Sequence, residues 1–295
     1  TLHPLSFKEF LLAMNKDILV QYLDEHKWNE YSALKTELTE LLRPYYFTGG
    51  MPLVVQKYVE NQDLIEVRRI QKDILQDYEE DFSKHIPNTE LPKVTAVWNS
   101  IPSQLAKENK KFIWGALKKG ARAKEFENAV QWLIDAGLVH KVPRLKKIEL
   151  PVKFYEDFSA FKLFFNDVGL LGALSDVPAK EILVSTKLMT EYKGAFTEQY
   201  VAQQYFSALS STYILPLYYY SNENSTLEID FVFQKENAFP IEVKAEENLR
   251  SKSLSTILKA NTEITGIRFS MSDYREQERM VNVPLYLAFW YFEWV

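Results

Sequence analysis

Residues 227–233 and 240–244 both follow the period-two pattern of a β-strand. The odd positions of the first segment are all apolar, and the second segment carries Glu242 and Lys244 at its even positions. Because successive side chains of a strand point to opposite faces of a sheet, each segment has one apolar and one polar face. The pattern therefore predicts two strands of a sheet with a buried face, which excludes an all-helical fold.

The polar faces of these two strands carry the residues most suited to chemistry. If the strands pair as a hairpin, Asp230, Glu242 and Lys244 share one face, and Glu198 on a preceding helix completes the set. Carboxylates are the ligands that Mg²⁺ or Mn²⁺ prefers, and we assign the metal to Asp230 and Glu242. A lysine beside them suits the activation of a metal-bound water or the stabilisation of phosphate charge. The alternative is an ordinary solvated sheet face.

The chain divides into three sections, which predict a multidomain α plus α/β protein. Residues 1–88 follow helical spacing, residues 89–150 combine helices with a short strand, and residues 151–295 change to a mixed α/β pattern. In the middle section we predict helices at 93–99, 107–117 and 124–136, then a strand at 138–142 that Pro143 turns. Three helices and a two-stranded wing are typical of a winged helix.

The third section alternates helices and strands. A helix is predicted at 194–209, and another begins near Ser251 or Ser253, either of which is a suitable N-cap. The predicted strands are 213–220, 226–233, 239–245, 263–270 and 283–291.

Charge is distributed unevenly along the chain. Residues 91–150 contain 12 Lys and Arg against 5 Asp and Glu, whereas the whole chain carries a formal net charge of −5. Such a basic segment is expected where phosphates are neutralised, so DNA is a candidate partner; a solvated helical surface, or a patch that faces an acidic neighbouring domain, explains it equally well. The candidate nucleic-acid-binding residues are Lys110, Lys111, Lys118, Lys119, Arg122 and Lys124.

Composition excludes several kinds of site. With no Cys, there is no disulfide framework, thiolate zinc site or cysteine nucleophile. The 9 glycines form neither GxxxxGK[ST] nor GxGxxG, so no phosphate-binding glycine loop is expected. No stretch approaches the ~18 uncharged apolar residues that a membrane span needs. A cytoplasmic protein without a membrane partner is the expectation, and an oligomer is left open.

Several motifs occur in an order that resembles a known family. Asp230 followed by Glu242-Val243-Lys244, behind a helix with Glu198, resembles the PD-(D/E)XK signature of restriction-endonuclease-like nucleases. The chain as a whole resembles a large prokaryotic family of AAA-type ATPases that carry a nuclease-like C-terminal domain of unknown function. The motifs that carry this resemblance are Leu5-Ser6-Phe7-Lys8-Glu9-Phe10, Gly49-Gly50-Met51-Pro52, Phe161-Lys162-Leu163-Phe164-Phe165-Asn166-Asp167-Val168-Gly169-Leu170-Leu171, Gly194-Ala195-Phe196-Thr197-Glu198, Glu228-Ile229-Asp230-Phe231 and Ile241-Glu242-Val243-Lys244.

The resemblance implies a domain assignment. Residues 1–88 are the helical end of an ATPase module, 89–150 are a winged helix and 151–295 are the nuclease-like domain. The Walker motifs of that family lie upstream of the first motif, so this chain is expected to be a C-terminal fragment without ATPase activity. ATP and the upstream ATPase module then belong to a full-length parent. One departure is Tyr219-Tyr220-Ser221, where family members often have an aromatic residue followed by Arg.

Three functions are compatible with these observations. The first is a metal-dependent phosphodiester hydrolase in which Asp230 and Glu242 bind metal, Lys244 assists water and Glu198 supports the site. The second is a nuclease-like fold that binds nucleic acid or a partner protein without turnover. The third is a structural scaffold of the ATPase, for which contact with DNA would be weak and insensitive to salt.

Overall fold

Helices cover most of the first half of the chain, and a mixed sheet dominates the second half. The computed structural model describes residues 3–107, 110–183, 193–209, 215–247 and 250–295. Its helices are α1 Phe7–Ala13, α2 Asp17–Leu23, α3 Lys35–Thr48, α4 Pro52–Asn61, α5 Leu64–His85, α6 Leu91–Leu105, α7 Ala123–Asp135, α8 Val168–Leu174, α9 Ala179–Leu183, α10 Lys193–Leu209, α11 Lys252–Ala260 and α12 Ala288–Trp294. Its strands are β1 Val139–Leu145, β2 Glu156–Phe165, β3 Tyr218–Ser221, β4 Glu228–Gln234, β5 Ala238–Val243, β6 Gly266–Ser270, β7 Arg275–Gln277 and β8 Met280–Pro284.

Local sequence signals explain where the first helices begin. Ser6 and Glu9 form a capping box at the start of α1, so each side chain satisfies a backbone N–H that the helix leaves free. Pro52 occupies the first turn of α4, where its missing N–H costs nothing. The Asp63 side chain accepts from the Ile65 and Glu66 nitrogens and caps α5. The predicted helical character of the first section is confirmed.

The middle section differs from its prediction at two places. The predicted helix 107–117 is wrong for its described residues, which hold only a short 3₁₀ turn at Trp114–Ala116, and residues 108–109 lie outside the described residues. The reason is that the Phe112 nitrogen donates to Phe161 O on β2, and Ile113 exchanges two hydrogen bonds with the Gln104 side chain. These bonds use backbone groups that a helix would need.

The predicted wing extends further than expected. β1 continues past Pro143 to Leu145 and pairs with β2 in antiparallel register, with an irregularity after Pro143. β1 also pairs with β3 in parallel, so the hairpin is part of the large sheet. A boundary at residue 150 therefore falls between two paired strands.

Eight strands form one mixed sheet among the described residues, in the order β2-β1-β3-β4-β5-β6-β8-β7. β4 and β5 are the predicted antiparallel hairpin, with Phe231 opposite Ile241. β6 and β8 continue the sheet in parallel to β5, and β3 lies on the other side of β4. The first part of predicted strand 213–220 lies outside the described residues.

The end of the chain is helical where a strand is predicted. The predicted strand 283–291 is wrong: β8 ends at Pro284, a 3₁₀ turn follows at Leu285–Leu287, and α12 then packs against α10. This run is buried almost throughout, and an apolar run without alternation does not distinguish a strand from a buried helix. The Tyr200 hydroxyl of α10 donates to Leu285 O and fixes the turn.

The helical first section and the sheet share one core. The main cluster of buried apolar side chains extends from Phe7 to Phe292. Buried hydrogen bonds also cross it: the Phe7 nitrogen donates to Gln204 Oε1 at 2.8 Å, and the Gly50 nitrogen donates to Asp167 Oδ2 at 2.6 Å. The mixed α/β class is confirmed, with twelve α-helices and eight strands in the described part of the chain.

Of the helices that the structure describes, none combines the length and apolar character needed to cross a bilayer.

Candidate functional site

The β4–β5 hairpin brings the predicted acidic residues together. Glu228 and Asp230 occupy alternate positions of β4, and Glu242 lies on β5. Asp230 Oδ2 accepts a 2.7 Å hydrogen bond from the Val243 nitrogen, which places this carboxyl group beside β5. Lys244 Nζ lies 2.7 Å from Glu242 Oε1. The antiparallel register that sets Phe231 opposite Ile241 places Asp230 and Glu242 on the same face of the sheet, and Lys244 pairs with Glu242 there.

Glu198 approaches this face from α10. Its side chain is only 5% exposed, and Lys110 Nζ lies 2.7 Å from its Oε1. Lys162 Nζ lies 3.8 Å from its Oε2 and 2.6 Å from Glu228 Oε1. These two lysines come from different sections of the chain. The site is a network of four carboxyl groups and three ammonium groups, contributed by Glu198, Glu228, Asp230, Glu242, Lys110, Lys162 and Lys244.

Lys162 is the most deeply buried member of the network. It lies on β2 with no exposed surface, and its Nζ is 4.8 Å from the centre of the Tyr219 ring. Its contacts to Glu228 and Glu198 are close, but Nζ has no well-directed hydrogen bond. Burial alone would lower the pKa of Lys162, yet attraction to Glu198 and Glu228 raises it, so the ammonium stays charged.

The charges around Glu198 and Asp230 shift their pKa values in opposite directions. For Glu198, burial favours the neutral form, but Lys110 and Lys162 outweigh it and lower the pKa. For Asp230, burial raises the pKa to about 7, and repulsion by Glu198 adds to this rise. Lys162, Lys110 and the Val243 N–H act against that rise. The lysines thus favour the ionised form of Glu198, whereas burial favours the neutral form of Asp230.

Two carboxylate oxygens in the network have no hydrogen-bond partner. Glu198 Oε2 and Glu242 Oε2 are buried, and nothing in the described part of the protein donates a hydrogen bond to either. A buried acceptor without a donor is costly, so each of these oxygens can accept a hydrogen bond from water or contact a cation. Within the same described residues, no group of three or more His, Asp or Glu side chains is arranged to hold a metal ion.

The basic residues predicted to contact nucleic acid do not form one surface. Lys110 is turned inward to Glu198, and Lys111 is half-buried. The other members are exposed and lie around the start of α7: Lys118, Lys119, Arg122 and Lys124. Arg144, another cation of the basic section, is also used internally, in an ion pair with Asp157.

The sequence interpretation gave no role at the site to Lys162 or Glu228, and placed Lys110 on a different surface. A signal for Lys162 exists, because it is the one charged residue in the apolar run 160–165. A charge in such a run implies a buried partner. For Lys110 no comparable signal exists, because its partner Glu198 is 88 residues away in the chain.

Two regions of the chain match protein families. Residues 39–181 match a domain of unknown function, DUF8612, and residues 193–287 match a second domain of unknown function, DUF4143. The second is found in C-terminal regions associated with AAA-type ATPases. No curated protein and no solved structure matches the chain.

The network draws on both matched regions. Glu198, Asp230 and Glu242 lie in the second region, whereas Lys110 and Lys162 lie in the first. The first region also extends across the predicted boundaries at residues 88 and 150.

Proposed function

We propose that this chain is the C-terminal part of an AAA-type ATPase and that residues 151–295 form a nuclease-like module that binds a divalent cation and nucleic acid. The match of residues 193–287 to a domain associated with such ATPases supports the first half of this proposal. In it, residues 1–88 close the ATPase module, residues 89–150 contribute α6, α7 and β1 to the same fold, and ATP binds elsewhere in the longer protein. The protein acts in the cytoplasm.

The observation that carries the metal site is the position of Asp230 and Glu242 on one face of the β4–β5 hairpin, together with the buried Glu242 Oε2, which accepts no hydrogen bond from the described residues. Mg²⁺ is commonly held by only one or two carboxylates, with waters and substrate phosphates completing its shell. Two carboxylates therefore suffice, and a third ligand from Glu198 is not required. Asp230 and Glu242 hold Mg²⁺ or Mn²⁺ in this proposal.

The remaining residues suit a phosphodiester. When bound, the metal acts as a Lewis acid and lowers the pKa of a bound water. The Lys244 side chain is 32% exposed and stands beside Glu242 at the open side of the network, where it can face a phosphate. Glu228, 22% exposed, lies on the same open side. Nucleic acid then approaches this side, with the exposed cations near α7 as an additional contact.

The test is a calorimetric titration of Mn²⁺ into the wild-type chain and into an Asp230→Asn, Glu242→Gln double variant. We expect binding to the wild type and at least a tenfold weaker affinity in the variant, since two charged ligands are removed. The matched control is Asp77→Asn, Glu79→Gln, which removes the same charge from the exposed face of α5. A folded wild type that binds no Mn²⁺ at millimolar concentration contradicts the metal site.

The second candidate function is a nuclease-like module that binds without cleaving. The observation in its favour is that Lys110 and Lys162 already neutralise Glu198 and Glu228. The Asp230→Ala variant distinguishes the two functions. Under the first function it abolishes cleavage of a labelled DNA. Under the second function it leaves DNA binding nearly unchanged. Binding by wild type with no cleavage in Mg²⁺ or Mn²⁺ favours the second.

A further inference from the structure

Lys110 reaches the carboxylate network from outside the sheet. It lies between α6 and α7, where Phe112 N donates to Phe161 O, and Phe161 precedes Lys162 on β2. This hydrogen bond holds the segment against β2 and directs the Lys110 side chain toward Glu198. The Lys110 ammonium then lies 2.7 Å from Glu198 Oε1 and forms a hydrogen bond with it.

The two lysines on Glu198 are held in different ways. Lys162 has no exposed surface, projects from a strand and lies over the Tyr219 ring. Lys110 projects from a segment outside the helices and strands, and 12% of its side chain is exposed. Its flexible four-carbon stem can swing the ammonium to solvent without unpairing a strand. Lys162 is a fixed part of the network, whereas Lys110 can leave it.

We infer that Lys110 is a displaceable internal counter-ion that blocks Glu198 and is expelled when a divalent cation enters the site. This inference rests on the proposed metal site at Asp230 and Glu242. A divalent cation near Glu198 neutralises its charge more strongly than one ammonium does, and it repels that ammonium at short distance. Glu198 Oε2 accepts no hydrogen bond from the described residues and lies 3.8 Å from Lys162 Nζ, so it is available to the cation or its water. Glu198 is thus held in an ion pair with Lys110 until a divalent cation binds.

The test compares Mn²⁺ affinity in the wild type, Lys110→Met and Lys118→Met. Met keeps most of the side-chain volume and removes the charge, so Lys110→Met is expected to bind Mn²⁺ at least about tenfold more tightly, because no ammonium has to be displaced. Lys118→Met removes an exposed charge from the same section and is expected to bind as the wild type does. Adding Glu198→Gln to Lys110→Met should remove the gain.

The outcomes separate this inference from the metal site itself. If the wild type binds Mn²⁺ but Lys110→Met and Lys118→Met bind equally, the displacement is refuted and the metal site stands. If no folded variant binds Mn²⁺, both are refuted. Thermal denaturation of each variant establishes that it is folded.

A second measurement needs no substitution. Acetylation of lysine amines in the wild-type chain, read by peptide mass spectrometry, reports which ammonium groups reach solvent. We expect Mn²⁺ to increase labelling of Lys110 several-fold and to leave Lys118 unchanged. Equal labelling of Lys110 with and without saturating Mn²⁺ overturns the displacement even if the substituted chain does not fold.

Discussion

Asp167 Oδ2 accepts a hydrogen bond from the Gly50 nitrogen, which joins the turn after α3 to the start of α8. Oδ1 of the same carboxylate accepts from the Leu170 nitrogen and caps α8. The two backbones approach so closely that a Cβ added at Gly169 would lie 2.6 Å from the Gly49 nitrogen. This junction holds the helical first section against the part of the chain that carries the sheet.

Replacing Gly169 with Ala should disrupt this junction. Because the neighbouring atoms belong to backbone, they cannot move aside, and Gly169→Ala is expected to lower the free energy of unfolding by about 3 kcal/mol or more. The control is Gly194→Ala inside α10, where an added Cβ meets no atom of the described residues within 4 Å and is expected to stabilise by up to about 1 kcal/mol. Urea denaturation measures both, and similar destabilisation of the two variants contradicts the prediction.

Asp167 should make stability depend on pH. Burial raises the pKa of Asp167 to about 6, against the opposing effect of the N–H donors of Gly50, Leu170 and Gln203. Since the folded state holds this proton more tightly than the unfolded chain, its stabilising contribution is complete below pH 3.8 and is lost as the pH rises through 6. Relative to Asp167→Asn, the wild type should lose up to about 3 kcal/mol between pH 4 and pH 7.

The measurement is the urea midpoint of the wild type and Asp167→Asn across this pH range. Asp81→Asn, on the exposed face of α5, controls for general charge effects. A constant difference between wild type and Asp167→Asn at every pH rules out the predicted titration.

Replacing Lys162 alone should destabilise the protein more than replacing Lys162, Glu198 and Glu228 together. Lys162→Met leaves the Glu228 and Glu198 carboxylates facing a buried site without this ammonium, and we expect a loss of about 3–5 kcal/mol. Adding Glu198→Gln and Glu228→Gln should restore most of the stability, because neutral groups need no counter-ion. Thermal denaturation tests this, and a Lys162→Met variant as stable as wild type contradicts it.

Nucleic-acid binding by the exposed cations near α7 should show in its salt dependence. Replacing them with Gln is expected to reduce the slope of log affinity against log salt by about 0.9 for each phosphate that the variant no longer neutralises. Fluorescence anisotropy with a labelled DNA duplex measures this slope. The four residues changed are Lys118, Lys119, Arg122 and Lys124. The control variant removes an equal charge from α4 and α5 and should leave the slope nearly unchanged. Its substituted residues are Lys57, Arg69, Lys72 and Lys84. Identical slopes in the two variants would show that the cations near α7 contribute no more to DNA binding than the cations of α4 and α5.

The parts of the fold that local pattern determines were predictable. The β4–β5 hairpin follows from strict alternation on both sides of a polar turn, and it positions Asp230, Glu242 and Lys244 as expected. α10 follows from helical spacing, and it carries Glu198 to the same site. In each case neighbouring residues supply the whole signal.

The errors occur where distant residues decide the structure. The helix predicted at 107–117 is prevented by hydrogen bonds from Phe112 and Ile113 to groups elsewhere. The inward position of Lys110 likewise depends on Glu198, to which no local pattern connects it. Sequence reasoning thus identified Glu198, Asp230, Glu242 and Lys244 as members of the site. It missed Lys110, Lys162 and Glu228.

The pairing of β1 with both β2 and β3 has a consequence for dividing the chain. A fragment that begins at residue 151 retains β2 and β3 but lacks the strand between them. Two rows of backbone N–H and C=O groups are then exposed, and such open edges recruit strands from other molecules. The two matched regions therefore contribute strands to one sheet, and a fragment made without β1 is expected to aggregate.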